Sequence, residues 1–225
     1  MPQQARHKMD SVAKVKIRDF LYCRVNIFRF EGGRIVEHWD NLQDKPKKPS
    51  PSGHTMTDGP TESKDPDRTE ANKELVRRYL EDVLVNGRLE RMARYIDCGE
   101  YIEHHPNAGA GLDARREAFT ERARRGVILR YDTIHKVLGE GNFVLTVSEG
   151  RYGPTGGKHV CFYDLFRVEG GKIAEHWDTV DLIPEKERWK NGNSKFGFEP
   201  NDLSDQRRGR RHSATGRRPL RDAGA

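Results

Sequence analysis

Cysteine is scarce in this chain: its 225 residues include three, Cys23, Cys98 and Cys161. None of them belongs to a C-x-x-C pair, and their number is odd. A disulfide framework and a cysteine-ligated zinc site are therefore excluded as organising features. We expect reduced thiols, as in a cytoplasmic protein.

Long apolar runs are also missing. No stretch approaches the ~18 consecutive apolar residues of a membrane-spanning helix, and the opening MPQQARHKMD lacks the apolar core of a signal peptide. Hydrophobic residues make up 34% of the chain and charged residues another 34%, a polar balance for a compact protein of this length. The sequence predicts a soluble, cytoplasmic protein without membrane contact, in which both ends and a linker add little to a core.

The excess of positive charge is concentrated near the end of the sequence. The net charge is +6, and seven arginines against four acidic residues between Glu199 and Asp222 supply +3 of it. No aromatic residue follows Phe198, so this segment has no ring on which a nucleic acid base could stack. We expect residues 197–225 to be a solvated, disordered basic tail, and nucleic acid is not the expected partner.

The clearest structural signal is a β-hairpin in residues 159–181, HVCFYDLFRVEGGKIAEHWDTVD. β-branched and aromatic residues alternate with polar ones on both sides of Gly170-Gly171, and glycine reaches the positive φ that tight turns need. A two-residue loop would set Glu169 opposite Lys172, whereas a three-residue loop would set Val168 opposite Lys172.

We prefer the three-residue loop, with Gly171 as a left-handed bulge residue, because it gathers the polar side chains on one face. Carboxylates that are buried singly would be strongly destabilising. This register places on one face Phe162, Asp164, Phe166, Ala174, His176 and Asp178. It places on the other face Tyr163, Leu165, Ile173, Glu175 and Trp177.

The hairpin sequence occurs twice. FRFEGGRIVEHWD at 28–40 matches FRVEGGKIAEHWD at 166–178 in ten of thirteen positions, at an offset of 138. Too few residues precede the first copy to supply helices and further strands, so we interpret 1–44 as a partial repeat, the C-terminal hairpin of a truncated domain. Residues 45–68 are rich in Pro, Ser, Gly and charge, which is typical of a linker. We expect a remnant hairpin that docks only loosely, on a linker without a fixed path.

Residues 69–196 predict one complete α+β domain. Asp67 or Thr69 is expected to cap the first helix, and Asp113 the third. After Gly126 the hydrophobic period changes from that of a helix to that of a strand. The predicted elements are a helix ending at Asn86-Gly87, helices over 89–96 and 113–124, strands over 127–138 and 142–152, and the hairpin. Helices followed by a four-strand antiparallel meander form an α+β layout.

Four segments, ANKELVRRYLEDVLVNG, YIEHHP, YDLFRVEGGKIAEHWD and WKNGNSKF, together resemble the SnoaL-like polyketide cyclase family. More narrowly, the chain is similar to bacterial proteins described as SnoaL-like aldol-condensation-catalysing enzymes. The resemblance covers about residues 69–196, with a second partial copy in 19–46. It implies the cone-shaped fold of nuclear transport factor 2, with three N-terminal helices and a curved antiparallel sheet, here preceded by an orphan β-hairpin. It further implies a pocket at the wide end and, as is frequent in the family, a homodimer through the outer face of the sheet.

The resemblance also implies cofactor-free chemistry on a small molecule. A carboxylate removes a proton α to a carbonyl, and the enolate closes a ring by aldol attack. Apolar surroundings would raise the pKa of such a carboxyl group and make it a better proton shuttle. The catalytic candidates are Asp178, Asp164 and His176, and the sequence leaves open which aspartate is the base.

The candidates for substrate contact come from the YIEHHP segment and the hairpin. Neighbouring residues on a strand point to opposite sides, so one of His104 and His105 is expected to face the pocket. The full set is Tyr101, His104, His105, Phe162 and Phe166. The spacing of histidines and carboxylates fits no compact metal-ligand motif, so no metal is predicted.

Two interpretations remain open. In the first, the domain is a cofactor-free cyclase or isomerase. In the second, it is a non-catalytic ligand-binding or dimerisation module, and the polar cluster is a buried hydrogen-bond network that fixes strand register. Trp177 and Tyr163 are expected in the core or at an interface rather than as a substrate platform.

Overall fold

The computed structural model describes residues 22–46 and 50–197. It has the predicted α+β class, with few helices and a mixed five-stranded sheet. The strands are β1 (Tyr22–Glu31), β2 (Arg34–Asp44), β3 (Ile102–Glu103), β4 (Ile128–Glu140), β5 (Phe143–Gly153), β6 (Lys158–Glu169) and β7 (Lys172–Leu182). The α-helices are α1 (Thr69–Tyr79) and α2 (Leu112–Arg124), and Leu80–Val85 continues α1 as a π-helix. Short 3₁₀ helices cover Pro66–Arg68, Leu89–Arg94 and Lys186–Arg188.

The helices follow the predicted periodicity but differ at their starts. Neither Asp67 nor Thr69 caps α1 with a side-chain hydrogen bond, because a 3₁₀ turn leads directly into the helix. The second predicted helix is the 3₁₀ helix Leu89–Arg94. The third begins at Leu112 instead of after Asp113.

The five-stranded sheet has the order β3-β7-β6-β5-β4. Strands β4 to β7 form the predicted antiparallel meander. The two-residue strand β3 comes from the YIEHHP segment and pairs in parallel with β7, with Ile102 opposite Glu175 and Glu103 opposite His176. This pairing brings the YIEHHP segment beside the polar residues of the hairpin.

The main core lies between α1 with its π-helical extension and one face of the sheet, which we call the inner face. Its largest buried side chains include Tyr79, Leu80, Met92, Ile96, Tyr101, Phe162, Phe166 and Ile173. Burial of each such aliphatic or aromatic side chain contributes about 1.5–3 kcal/mol before conformational entropy is subtracted. This packing fixes the positions of β6 and β7, which carry the predicted polar cluster.

The turn between β6 and β7 is the two-residue form, so the three-residue register is wrong at the turn. Gly170 has φ 56° and Gly171 has φ 77°, and Glu169 pairs with Lys172. Two residues with positive φ give a turn whose twist matches that of the flanking strands, which favours this form.

A β-bulge next to the turn nevertheless produces the predicted polar grouping. Ala174, between Ile173 and Glu175, has no partner on β6. The extra residue shifts the rest of β7 by one position, so that Asp164 lies opposite Asp178. Ile173 precedes the bulge and therefore lies in the inner core, not on the outer face as predicted.

The N-terminal hairpin, β1–β2, repeats both features. Glu31 pairs with Arg34 across the turn, and Val36 is left without a partner as Ala174 is. The hairpin lies on the outer face of the five-stranded sheet, the face opposite α1.

The contacts of this hairpin with the outer face are apolar and close. Ile27 is only 7% exposed. The shared cluster consists of Ile27, Leu145, Val147, Cys161, Tyr163 and Phe196, with Val25, Trp39, Leu138, Leu165 and Ile183 packed against it. The expectation of loose docking is wrong, because an isolated hairpin would leave its apolar face in water and the sheet covers that face.

The linker also follows a defined path. Ser50 Oγ donates hydrogen bonds to the backbone oxygens of His105 and Ala108, each at 3.1 Å. The Asn142 N–H donates to the Lys64 backbone oxygen at 2.8 Å. The prediction of a linker without a fixed path is therefore wrong, because its polar groups bind backbone groups of the domain.

Within residues 22–46 and 50–197, no helix is long and apolar enough to cross a membrane. The predicted basic tail, apart from Gly197, lies outside the described residues.

Candidate functional site

His176 on β7 lies at the centre of a buried polar network. Its Nδ1 is 2.8 Å from Glu103 Oε1, and its Nε2 is 3.1 Å from Asp164 Oδ1. The Tyr131 hydroxyl donates to Asp164 Oδ1 at 3.1 Å. His176, Glu103 and Asp164 are at most 1% exposed, so the network is closed to solvent.

Glu103 is held by several donors besides His176. Arg115 reaches from α2 and forms an ion pair with it through Nη1. The Tyr101 hydroxyl donates to Oε2 at 2.7 Å, and the His105 backbone N–H donates to Oε1 at 3.0 Å. These donors compensate for the loss of hydration of the buried carboxylate.

The charges of the network set the pKa values within it. Burial alone would lower the pKa of His176, but the neighbouring Glu103 carboxylate outweighs burial and raises that pKa to about 9. Burial would raise the pKa of Glu103, but Arg115 and His176 hold it well below its ordinary value. Burial raises the pKa of Asp164. At neutral pH His176 is therefore an imidazolium next to the Glu103 carboxylate.

A small cleft lies beside this network. Its volume is about 20 Å³, which is room for about one water molecule. Its lining includes His105, Arg115, Phe119, Tyr131, Phe162 and Asp178. Of the two candidate aspartates, Asp178 reaches the cleft, and Asp164 lies in the closed network behind it.

Asp178 and His105 form a pair in the cleft. Asp178 Oδ1 is 2.9 Å from His105 Nδ1. Burial would raise the pKa of Asp178, but the interaction with His105 outweighs it and lowers that pKa. Among the described residues, His105 Nε2 and Arg115 Nε are buried without a hydrogen-bond partner. Buried polar groups are usually paired, so two residues that line the cleft, His105 and Arg115, have unused hydrogen-bonding capacity.

The predicted aromatic contact residues lie at different depths. Phe162 lines the cleft and stacks on Tyr131 with ring centroids 4.1 Å apart. Phe166 stacks on His176 at 4.8 Å within the closed interior. Tyr101 donates to Glu103 and also lines a separate surface pocket next to Arg167. Substrate contact by these aromatic residues stays a prediction.

Of the two adjacent histidines, His105 faces the cleft and His104 faces the opposite side. His104 Nδ1 is 2.7 Å from the Thr55 backbone oxygen, and its Nε2 is 2.9 Å from Glu175 Oε1. Its ring stacks on Trp177 at 4.4 Å between centroids. The assignment of His104 to the pocket is therefore wrong, because the alternation of the strand turns it outward.

One group of possible metal ligands occurs within the described residues. The ligand atoms of His54, Asp58 and His104 lie within 4.8 Å of one another. His104 Nδ1 is, however, already 2.9 Å from Asp58 Oδ1 and 2.7 Å from the Thr55 backbone oxygen. A metal ion would have to displace a hydrogen bond that attaches the linker to the domain.

Sequence reasoning missed Glu103, Arg115 and Tyr131. A signal existed for Arg115, which follows Leu112 by three positions and so shares the helix face that enters the core. Glu103 likewise alternates with Tyr101 on the extended segment, which puts both side chains on one side. Nothing in the sequence indicated that Tyr131 would bind Asp164, because that contact joins β4 to β6 across β5.

Residues 76–176 match the family model of the SnoaL-like domain. Over these residues, which we call the SnoaL-like domain, the chain is similar to the SnoaL-like family. The match runs from α1 into β7 and includes the buried network, while Asp178 lies two positions beyond it.

The SnoaL-like domain is also similar to solved structures. An NTF2-like protein of unknown function from Mesorhizobium loti is 22% identical, with 55% of this chain and 97% of that chain covered and a TM-score of 0.42. A SnoaL-like polyketide cyclase from Agrobacterium tumefaciens is 14% identical, with 49% and 91% covered and a TM-score of 0.40. An LEH-like epoxide hydrolase from M. tuberculosis is 24% identical, with 51% and 85% covered and a TM-score of 0.39. No protein of curated function matches the chain.

Proposed function

We propose that the SnoaL-like domain binds a small carbonyl compound at the cleft and transfers a proton through the His105–Asp178 pair. The observation that carries this proposal is the state of His105: Nδ1 is bound by Asp178, and the buried Nε2 has no partner among the described residues. When Nδ1–H donates to the carboxylate, Nε2 keeps a lone pair that can accept a proton. Asp178 then orients the base, whereas the sequence left open whether Asp178 or Asp164 is itself the base.

The proposed reaction is proton abstraction α to a carbonyl group. Nε2 takes the proton, and the electron pair of the C–H bond moves to the carbonyl oxygen as an enolate. Arg115 also lines the cleft and has an unpartnered Nε, so a cationic donor is available to the developing oxyanion. Return of the proton to another carbon completes an isomerisation, and attack of the enolate carbon on a second carbonyl completes an aldol ring closure.

Asp164 and His176 are positioning residues in this proposal. His176 binds Glu103, and Glu103 in turn binds both Arg115 and the His105 backbone N–H. The network therefore connects the proton-transfer group to the cationic group through one carboxylate. It fixes the two cleft residues relative to each other without itself touching a substrate.

Exchange of enolisable protons tests the proposal without knowledge of the natural substrate. 2-Tetralone, a bicyclic ketone, is incubated in D₂O with the protein, and loss of the proton signal at its α carbon is followed by NMR. We expect catalysed exchange with the unsubstituted protein. His105→Gln should abolish it, and Asp178→Asn should reduce it by about 10²-fold or more, because general acid–base catalysis typically contributes 10²–10⁴-fold.

His159→Gln and Asp132→Asn are matched controls, since both side chains are partly exposed and neither lines the cleft. Both controls should exchange protons at the unsubstituted rate. Equal exchange by His105→Gln and the unsubstituted protein would refute the assignment of the base.

The size of the cleft favours a second candidate, a non-catalytic ligand-binding domain. A volume of about 20 Å³ holds about one water, so a ketone enters only if α2 moves away from the sheet. Helix α2 has two buried residues, Leu112 and Arg115, which makes it weakly anchored. Saturable chemical-shift changes with 2-tetralone, without any proton exchange, would support this second candidate.

A further inference from the structure

The N-terminal hairpin meets the sheet at positions that are equivalent in the sequence repeat. Asn41 Nδ2 donates to the Thr179 backbone oxygen at 2.9 Å and lies 3.2 Å from Thr179 Oγ1, and the two residues are 138 positions apart. This separation is the offset of the repeat. A residue that contacts its own equivalent lies on a two-fold axis, as in an interface between identical subunits.

The neighbouring hydrogen bonds are reciprocal. The Leu42 N–H donates to Asp181 Oδ2 at 3.4 Å, and the Val180 N–H donates to Gln43 Oε1 at 2.9 Å. Val180 is the equivalent of Leu42, and Asp181 is the equivalent of Gln43. The same hydrogen bond is therefore made in both directions around Asn41, as in an isologous interface.

The apolar contacts repeat the pattern. Val25 and Ile27 on β1 and their equivalents Tyr163 and Leu165 on β6 belong to one cluster on the outer face. Equivalent residues from two copies of one hairpin thus build both sides of the contact.

We infer that the outer face of the SnoaL-like domain is a self-association surface, and that the N-terminal hairpin occupies it in place of a second copy of the domain. The unsubstituted protein therefore does not associate with a second copy through this face. When the hairpin is detached, the outer face of β6 and β7 packs against the same face of a second copy around the same two-fold axis.

The unsubstituted full-length protein gives the first test. Light scattering should report the mass of one chain. A maleimide should label the exposed Cys98 but neither Cys23 on the hairpin nor Cys161 on the sheet, since both of these are buried. A mass of two chains for this protein would overturn the inference.

A full-length variant with Ile27→Glu and Asn41→Arg tests self-association. Both substitutions lie on the hairpin and leave the sheet face unaltered, so the hairpin should detach and the mass should double. Cys23 should become reactive, while Cys161 should stay protected by the second copy. Addition of Leu165→Arg on the sheet face should return the mass to that of one chain.

Ile35→Glu with Val36→Arg is the matched control, because it places the same two charges at exposed positions of the same hairpin. It should remain one chain with Cys23 protected. If the Ile27→Glu, Asn41→Arg variant has reactive Cys23 and the mass of one chain, the face has no affinity for itself and the inference fails. Continued protection of Cys23 also contradicts it, since these contacts would then not hold the hairpin. If that variant does not fold by circular dichroism, Asn41→Ala with Gln43→Ala is measured and interpreted in the same way.

Discussion

Titration of His176 links the stability of the domain to pH. Its pKa is about 9 in the folded protein against an ordinary value of 6.5. The folded state therefore holds the proton more tightly, and the resulting stabilisation is fully present below pH 6.5 and is lost as the pH rises through 9. We expect the free energy of unfolding to fall by about 3 kcal/mol over this interval, at about 1.4 kcal/mol per pKa unit. Urea unfolding at several pH values measures this change.

The His176→Gln variant separates this effect from other titrations. The amide retains hydrogen-bonding capacity but carries no titrating charge, so the slope of stability against pH between 6.5 and 9 should flatten. His159→Gln, on an exposed part of β6, should retain the slope. A slope that is unchanged in His176→Gln would show that another group causes it.

Trp177 occupies a position between core and surface. Its ring is half-buried and stacks on His104, and its Nε1 donates to the Asp58 backbone oxygen at 2.9 Å. We expect Trp177→Ala to lower the free energy of unfolding by about 2 kcal/mol, less than the 3–5 kcal/mol typical of a fully buried ring. Chemical denaturation measures the change, and Trp189→Ala, near the end of the described chain, should cost less than about 1 kcal/mol. A loss for Trp177→Ala as large as that of a fully buried ring would mean that the linker shields it more than its exposure indicates.

At the residue level, the sequence predicts which side chains are polar and inward-facing but not how they are divided between interior and cleft. The alternation rule correctly indicates that one of His104 and His105 turns inward. The choice between them depends on the parallel pairing of β3 with β7, a two-residue contact that leaves no periodic signal. Arg115 and Glu103 could not be predicted for a related reason. A charged residue is usually exposed, and the burial of these two depends on a partner from a distant segment of the chain.

At the level of elements, the β6–β7 turn requires a left-handed backbone conformation at Gly171. Its φ of 77° is left-handed, and the space that a Cβ atom would occupy is free of other atoms within 4 Å, so replacement costs backbone strain alone. Gly171→Ala should lower the free energy of unfolding by about 1–2 kcal/mol. Gly192→Ala, also in open space but without positive φ, should have little effect. Chemical denaturation of the two variants measures the difference, and equal stability would contradict the two-residue turn.

The bulge explains why the register of the hairpin could not be derived from its sequence. Two adjacent glycines are compatible with either loop, and a bulge has no residue signature when the extra residue is an alanine. The position of Ile173 decides the outcome, because its side chain belongs to the inner core with Val168 and Ile96. Tertiary packing thus determines a feature that local pattern leaves ambiguous.

At the level of the whole molecule, composition is a poor guide to the linker. Its Pro, Ser and Gly content is typical of a flexible chain, yet Met56 is buried and Ser50 binds two backbone oxygens of the domain. Polar residues of a linker become ordered when the neighbouring surface offers unpaired backbone groups, and those groups are known only once the fold is known. The repeat, by contrast, is visible in the sequence, although its contact with its own second copy is not.

The attachment of the hairpin to the domain through residues 45–68 has a thermodynamic consequence. A contact within one chain has a fixed effective concentration, set by the length and path of the connecting segment, so dilution does not weaken it. We expect the midpoint of thermal unfolding of the full-length protein to be the same over a hundredfold range of protein concentration, whereas the paired Ile27→Glu, Asn41→Arg variant should unfold at lower temperature as it is diluted. Differential scanning fluorimetry over that range distinguishes the two behaviours, and a concentration-dependent midpoint in the full-length protein would contradict the intramolecular contact. Because the hairpin belongs to the same chain, it covers the outer face of the sheet at any expression level.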